Sequence, residues 1–572
     1  LFFSFSCTAI CHICLTYQLI SCLASNWKKA LFIFGKHEMA HTHKDSVVAW
    51  KSYQATSRQG DVGQMIASAN ASEIAERREY LRRIIAVTSI LIRSFKNINL
   101  HQMLPISQNE IIDCCAQEVT NVIVSEMTKS KIDAIMANEA RDARSEQLAV
   151  CVRYVSEGEV KECFLALTEI KSFDAQSIAN ELQQQIQKNG VAELKCVAQT
   201  YDGAAVMSGS TGGVQAYFRK FHPEAICVYC YANELNLVLC HTLNHHKFIE
   251  AQSRLGLTAV ELALPAIFEC LSVIGSPIAV GLRGKLYKFS TVYALLMFQE
   301  LLSVTQGLRK LLQKETLDLA ETFMGKEAVC DTLRGKRTDA FTTDLYERTK
   351  AMCHTHSIPE PHAKKRHKQK KMEEFVLETT LGSGTELISS ETLKNSLLFP
   401  CVDRMVSELE LRFSSVHSGL LKGIQACNPK SENFLSESNL DELARHYSID
   451  LKTEEVLVAK NFLARKTEAG CPPQDMLAVH NLLDPDMFPS LRATIQIALT
   501  VPVSSCSCER SFSALRRLHS WLRQTMGQKR LHNLAAMSIE NDILKHLSHN
   551  RVIDRFATLK NRRHFLMLPP TT

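Results

Sequence analysis

Between residues 131 and 203 the chain passes through a fixed succession: KIDAIMAN, EQLAVCVRYV, SEGE, VKECFLALTEI, DAQSIANELQQQIQKNG and LKCVAQTYDG. EQLAVCVRYV and VKECFLALTEI are apolar strand patterns, and SEGE between them carries the turn glycine Gly158. Together they read as a β-hairpin. The next run changes period. Ile178, Leu182 and Ile186 recur at four-residue steps, Asp174 stands at the N-cap and Gly190 where the helix stops. LKCVAQT is again a strand, and it ends abruptly on Asp202-Gly203. Strand, hairpin, helix and strand in this order point to a mixed α/β fold with helices laid on a sheet.

That order fits an RNase H-like core, in which acids at strand ends converge on a divalent ion. Asp202 is such an acid. Magnesium takes hard oxygen ligands, and two ions about 4 Å apart can clamp the attacking and leaving oxygens of a phosphodiester. The plainer reading of Asp202-Gly203 is a strand-to-turn pair found in any fold.

Three segments carry a resemblance. YDGAAVMSGSTGGVQAYFRK (201–220), YCYANELNLVL (229–239) and VPVSSCSCERSFSALRRL (501–518) resemble hAT-superfamily transposases. The resemblance is to the domesticated subgroup that includes zinc finger MYM-type protein 1-like and TTF-type zinc finger proteins. It implies an RNase H-like core interrupted by a helical insertion domain, with a C-terminal dimerisation segment. It also implies an Asp, Asp, Glu triad. Carried over by motif, Asp202 is the second acid and Glu509 of CSCERSFS the third. At the first place the family reads like ADE-x-x-D, whereas this chain reads ANEARD, with Asn138 in place of the metal-binding Asp. Asn offers a carbonyl oxygen but removes a negative charge from a site that must hold a dication. Glu139 is adjacent, yet one step along a strand turns a side chain to the other face. Asp142 lies past the strand end. Asn138, Asp202 and Glu509 therefore read as a degenerate catalytic set, with Asp202 and Glu509 as vestigial magnesium ligands. The family's Cys-x-x-His is Cys230-x-x-Asn233 here. The three tryptophans are Trp27, Trp50 and Trp521, none where the family places an insertion-domain Trp that stacks on DNA.

With 572 residues, two to four domains are expected. Residues 1–50 resemble a degenerate TTF-type zinc-finger remnant. Residues 72–240 are expected to hold the N-terminal part of the core, 241–400 the helical insertion domain with a basic linker, and 401–550 the rest of the core with the dimerisation region. Helices are expected over 72–95 and 107–130, with Ile74, Ile84, Ile85, Val87, Ile90, Leu91 and Ile92 as the apolar face of the first. The first residue is Leu, which points to a fragment or incomplete gene model. Residues 1–24 are apolar but have no basic n-region, which argues against a signal peptide. Cys11, Cys14, His37 and His43 have spacing close to that of zinc ligands; the rival reading is a degraded leader with incidental Cys and His. The run at 364–371 holds six Lys or Arg, as a nuclear import signal, a phosphate-contacting patch or a solvated linker would.

The 20 cysteines show no repeating spacing, which reads as a reducing compartment and excludes a disulfide framework. A net charge of +6 is compatible with nucleic acid without requiring it. The expected protein is a nuclear, transposase-derived chain without cleavage activity. It would pair with itself or a related hAT-derived protein through its C-terminal region and bind DNA or a protein partner. No membrane and no small-molecule substrate is expected. The alternative is an active, metal-dependent hAT transposase that cuts and joins phosphodiesters. Zinc is the expected cofactor, and magnesium only if the chain is active.

Overall fold

Two long helices, α1 (Ala71–Arg93) and α2 (Pro105–Ser130), precede the expected succession. The computed structural model describes residues 71–93, 105–141, 145–244, 288–359, 389–414, 416–518 and 526–560, with scattered positions from 36 to 51 and residues 562 and 566. Among these, five strands form one mixed sheet: β1 (Ile132–Arg141), β2 (Glu146–Ser156), β3 (Glu159–Ile170), β4 (Lys195–Tyr201) and β5 (Ile226–Tyr229). Their order is β3-β2-β1-β4-β5. The first three are antiparallel, β4 runs parallel to β1, and β5 parallel to β4.

The local signals explain this order. Glu157 and Gly158 take positive φ values of 52° and 78°, the conformation a tight hairpin turn needs. Asp174 caps α3 (Ala175–Lys188) by accepting a bond from the Ser177 N–H at 2.9 Å. Gly190 follows the helix at φ 71°. Helix α3 buries Ile178, Leu182 and Ile186, the stripe read from the sequence.

The remaining described chain is helical: α4 (Tyr231–Asn244), α5 (Phe289–Leu311), α6 (Leu319–Gly335), α7 (Asp339–Thr355), α8 (Phe399–Arg412), α9 (Ser418–Ala426), α10 (Glu437–His446), α11 (Thr453–Glu468), α12 (Met476–Leu482), α13 (Pro489–Thr500), α14 (Cys506–Leu518), α15 (Gln528–Ile539), α16 (Asn541–Lys545) and α17 (His549–Thr558). The chain divides into two compact units, Leu1–Val119 with Asn541–Thr572, and Thr120–Glu540.

In the first unit, α1 packs on α16 and α17. Ile74, Ile85, Ile92, Val552 and Ile553 are buried. The nearly inaccessible Arg78 pairs with Asp554 at 2.7 Å and donates to the Leu566 carbonyl at 2.9 Å. Val87 and Ile90, expected on the apolar face of α1, are 44% and 53% exposed. The buried stripe is narrower than its run of isoleucines suggested.

In the second unit, helices and sheet share one hydrophobic cluster. It joins Ala134, Ala198 and Val228 of the strands to Tyr293, Leu296, Phe323 and Phe413. Tyr231 stacks on Phe413 with centroids 4.6 Å apart. Helices α13 and α14 lie on β1 and β2. Helix α15 lies against β3, the last strand on its side of the sheet. Leu531, Leu534 and Met537 are buried, so this apolar face rests on the chain's own sheet. Side chains from the same region take up backbone groups of β3. The Phe164 N–H donates to Glu540 Oε1 at 2.6 Å, the Leu167 N–H to His532 Nδ1 at 3.2 Å, and Gln528 Nε2 donates to the Leu167 carbonyl at 3.2 Å.

Of the residues singled out in the sequence, Cys11, Cys14, His37, Trp27, Trp50, Asp142, Trp521 and the basic run at 364–371 lie outside the described residues. His43 falls on a short helical stretch. Among the described residues, no helix is long and apolar enough to cross a membrane.

Candidate functional site

The C-terminal ends of β1 and β4 meet as parallel neighbours. Met136 is in register with Thr200, so Asn138 near the end of β1 and Asp202 just after β4 reach the same end of the sheet. Cys151 lies opposite Met136, and its Sγ is 3.8 Å from Ser511 Oγ on α14. Helix α14, which carries Glu509 in its first turn, therefore covers the face to which Asn138 belongs. Asn138, Asp202 and Glu509 are thus brought to one end of the sheet from segments far apart in sequence.

Asp202 also forms the local turn that the plainer reading foresaw. Its Oδ1 accepts the Ala204 N–H at 3.2 Å. Gly203 has its own reason: a Cβ there would stand 2.5 Å from Glu234 Oε1. Glu234 is buried and held at 2.8 Å by Arg412 of α8, so the loop after Asp202 passes close over a fixed ion pair.

The electrostatics link three carboxylates. Burial raises Glu509; Arg510 and Arg309 counter this, and the negative charge of Asp202 adds to the rise. Burial also raises Glu139, with Asp202 and Glu146 adding to it. Asp202 therefore lies within the field of both glutamates. Glu139 pairs with Leu148 across the ladder, one step out of phase with Asn138, so it projects from the other face. Its Oε1 is buried without a hydrogen-bond partner among the described residues. Asn138 is half-buried and supplies an amide where the family pattern has a carboxylate.

Whether this set fits a divalent ion follows from its donors. One Asp202 oxygen is engaged by its own turn, Asn138 brings no charge, and Glu139 faces away. Among the described residues, no three His, Cys, Asp or Glu side chains are gathered closely enough to share an ion. The residues present do not fit the two-ion arrangement.

Two features of the site were not read from the sequence. First, Cys230 was taken only as half of a broken Cys-x-x-His pair. Its Sγ accepts the Ser505 N–H at 3.3 Å. The Cys506 thiol also donates to it, which draws Cys230 down and holds the Cys506 proton in place. The loop before α14 is thereby pinned to the start of α4. Second, Arg153 is wholly buried on β2. It pairs with Glu162 at 2.7 Å and donates to the carbonyls of Leu499, Glu315 and Leu317 at 2.7 to 3.0 Å. Glu162 in turn accepts from Ser507, so the helix bearing Glu509 is anchored to the sheet by a buried charge. Arg510 pairs with Glu315 at 2.9 Å. Arg516 is exposed on α14. The buried arginine pattern, an Arg inside an apolar strand, was the available signal, because such a charge must find a partner.

Comparison with known proteins agrees with this arrangement. Residues 67–213 match the profile described as the ZMYM1/FAM200 RNase-like domain. Residues 483–543 match the hAT family C-terminal dimerisation region. Two separate segments of the chain thus match hAT-related profiles. The first matched segment carries Asn138 and Asp202, and the second carries Glu509. The chain is also similar to the mouse and human proteins named 52 kDa repressor of the inhibitor of the protein kinase. Each is 27% identical over 165 residues, covering 28% of this chain and 22% of the relative. The matched part is thus about a fifth of those relatives' length.

Proposed function

We propose that this chain is hAT-derived, has lost strand-cutting chemistry and acts in the nucleus by association. In this reading the C-terminal region pairs with a second copy or a related hAT-derived protein, and the chain binds DNA or a protein partner. The observation that carries it is Asn138 on the face shared with Glu509's helix, beside Asp202. The site is one carboxylate short on the side where an ion would need it. The name of the matched mouse and human proteins, a repressor, is compatible with a role played by binding. The test is supercoiled DNA incubated with the purified chain and Mg²⁺ or Mn²⁺. No nicking is expected, and Asn138→Asp should raise metal affinity measured calorimetrically. Robust nicking that disappears in Asp202→Ala would refute the proposal.

An active, metal-dependent transposase is the second reading, and one observation favours it. Asp202 acts on Glu139 as well as on Glu509, and Glu139 has an unpartnered buried oxygen. If loading with metal drew Glu139 across, cleavage would depend on it. Nicking by the wild-type chain that is lost in Glu139→Gln would establish this reading.

A further inference from the structure

A pocket of about 260 Å³ opens at the end of the sheet away from Asp202. It is bounded by the β2–β3 turn, the last residues of α2, and helices α12 and α13. The seven-residue run of β1 between Lys131 and Asn138 separates it from the acidic end by roughly 20 Å. Its chemistry is therefore independent of the reading proposed for Asp202 and Glu509.

The most constrained group in its wall is His480, only 3% exposed. Its Nδ1 lies 3.1 Å from Asn481 Oδ1. Asn481 Nδ2 donates to the Gly158 carbonyl at 2.8 Å, which fixes the orientation of the amide. Nδ1 therefore carries the proton, and Nε2 is an acceptor. Nε2 is buried and has no hydrogen-bond partner among the described residues. Burial, with the Arg492 charge adding to it, brings the ring down to about 4, so it is neutral at pH 7. A buried acceptor left in this state needs a donor.

Two cations line the same pocket. Arg492 spends one nitrogen, Nη1, on the carbonyls of His480 and Leu483. Its other nitrogens make no hydrogen bond among the described residues. Lys129, at the C-terminal end of α2, is exposed and has no ion-pair partner among them. Glu157, on the turn, is the opposing charge.

We propose that this pocket binds a phosphate group that carries or adjoins a hydroxyl. Lys129 and Arg492 meet the oxyanion, and the hydroxyl donates to His480 Nε2. Hydrogen phosphate and the phosphate-ribose unit of a nucleotide present the same chemistry. Sulfate matches the shape and charge but has no proton to give.

The test is calorimetric titration of the full chain at pH 7 and constant ionic strength with inorganic phosphate, sulfate and adenosine 5′-monophosphate. Phosphate or the nucleotide should bind about tenfold more tightly than sulfate, as a hydrogen bond to a buried acceptor warrants. The tighter of the two identifies the source. His480→Leu should erase the preference over sulfate. Lys129→Ala should weaken binding severalfold, and Glu157→Gln should strengthen it. Both of these positions are exposed, so they carry the test even if the His480 variant fails to fold. Equal binding of sulfate and phosphate by the wild-type chain would overturn the proposal. So would absence of binding up to about 10 mM, or affinities unchanged in both exposed variants.

Discussion

At the scale of single residues, buried charges set the behaviour of the sheet. Asp133 on β1 is 4% exposed, and its Oδ1 has no hydrogen-bond partner among the described residues. Burial pushes its carboxyl up to about 7. The folded chain thus keeps a proton that the unfolded chain releases above about pH 4. Its contribution to stability is whole below that point and is lost as the pH rises to about 7. Asp133→Asn should therefore stabilise the protein at pH 8, by at most about 4 kcal/mol, and change little near pH 4. Urea unfolding at the two pH values measures this. Arg153 carries the opposite risk. Arg153→Met strands Glu162 without its partner and frees three backbone carbonyls. A loss of about 3–5 kcal/mol is expected, read as a lower urea midpoint.

At the scale of elements, α15 serves β3 as a neighbouring strand would. Glu540, His532 and Gln528 satisfy backbone groups that an edge strand otherwise shows to any passing chain. Ending the chain before Pro502 would strip α14 and α15 from the sheet together. Such a truncated protein should aggregate and bind a hydrophobic dye instead of giving a clean monomer; light scattering with dye fluorescence decides between the two. A lighter change, His532→Leu, should cost about 1 kcal/mol, visible in thermal unfolding. The elements themselves were legible where local chemistry fixes them. The Gly158 turn, the Asp174 cap and the period of Ile178, Leu182 and Ile186 were each visible in a short window of sequence. The contact between Cys230 and Ser505 was not, since no local pattern links residues so far apart. Nor was the cover that α15 gives β3: an amphipathic helix announces that it has a buried face, and not what buries it. At the candidate site, alternation along β1 was enough to separate Asn138 from Glu139. The field of Asp202 over both glutamates needed the folded arrangement.

At the scale of the whole molecule, residues 483–543 match the hAT dimerisation region, and much of the apolar surface there is already spent within the chain. Association should therefore use outward residues, among them Met487, 58% exposed, and Arg516 on α14. The full chain is expected to run as a dimer, or a mixed pair, at micromolar concentration. Met487→Asp with Arg516→Glu should shift it toward monomer in light scattering without lowering the melting temperature. A monomeric and well-folded wild-type protein would rule out pairing with itself.

The cover that α13 and α14 place on the sheet has a consequence in time. β1 through β5 leave the ribosome by residue 229, while α14 begins at residue 506. At common rates of synthesis the interval is roughly 15–60 s. Through that interval the nascent sheet lacks the helices that cover its β1–β2 face. Arg153 waits without Leu499, and Cys230 without Ser505. The growing polypeptide must be sheltered, or held short of its final packing, until α14 has been made. A message cut short between β5 and α14 would yield a protein with its sheet strands made and one side bare, a natural client for chaperones and for degradation.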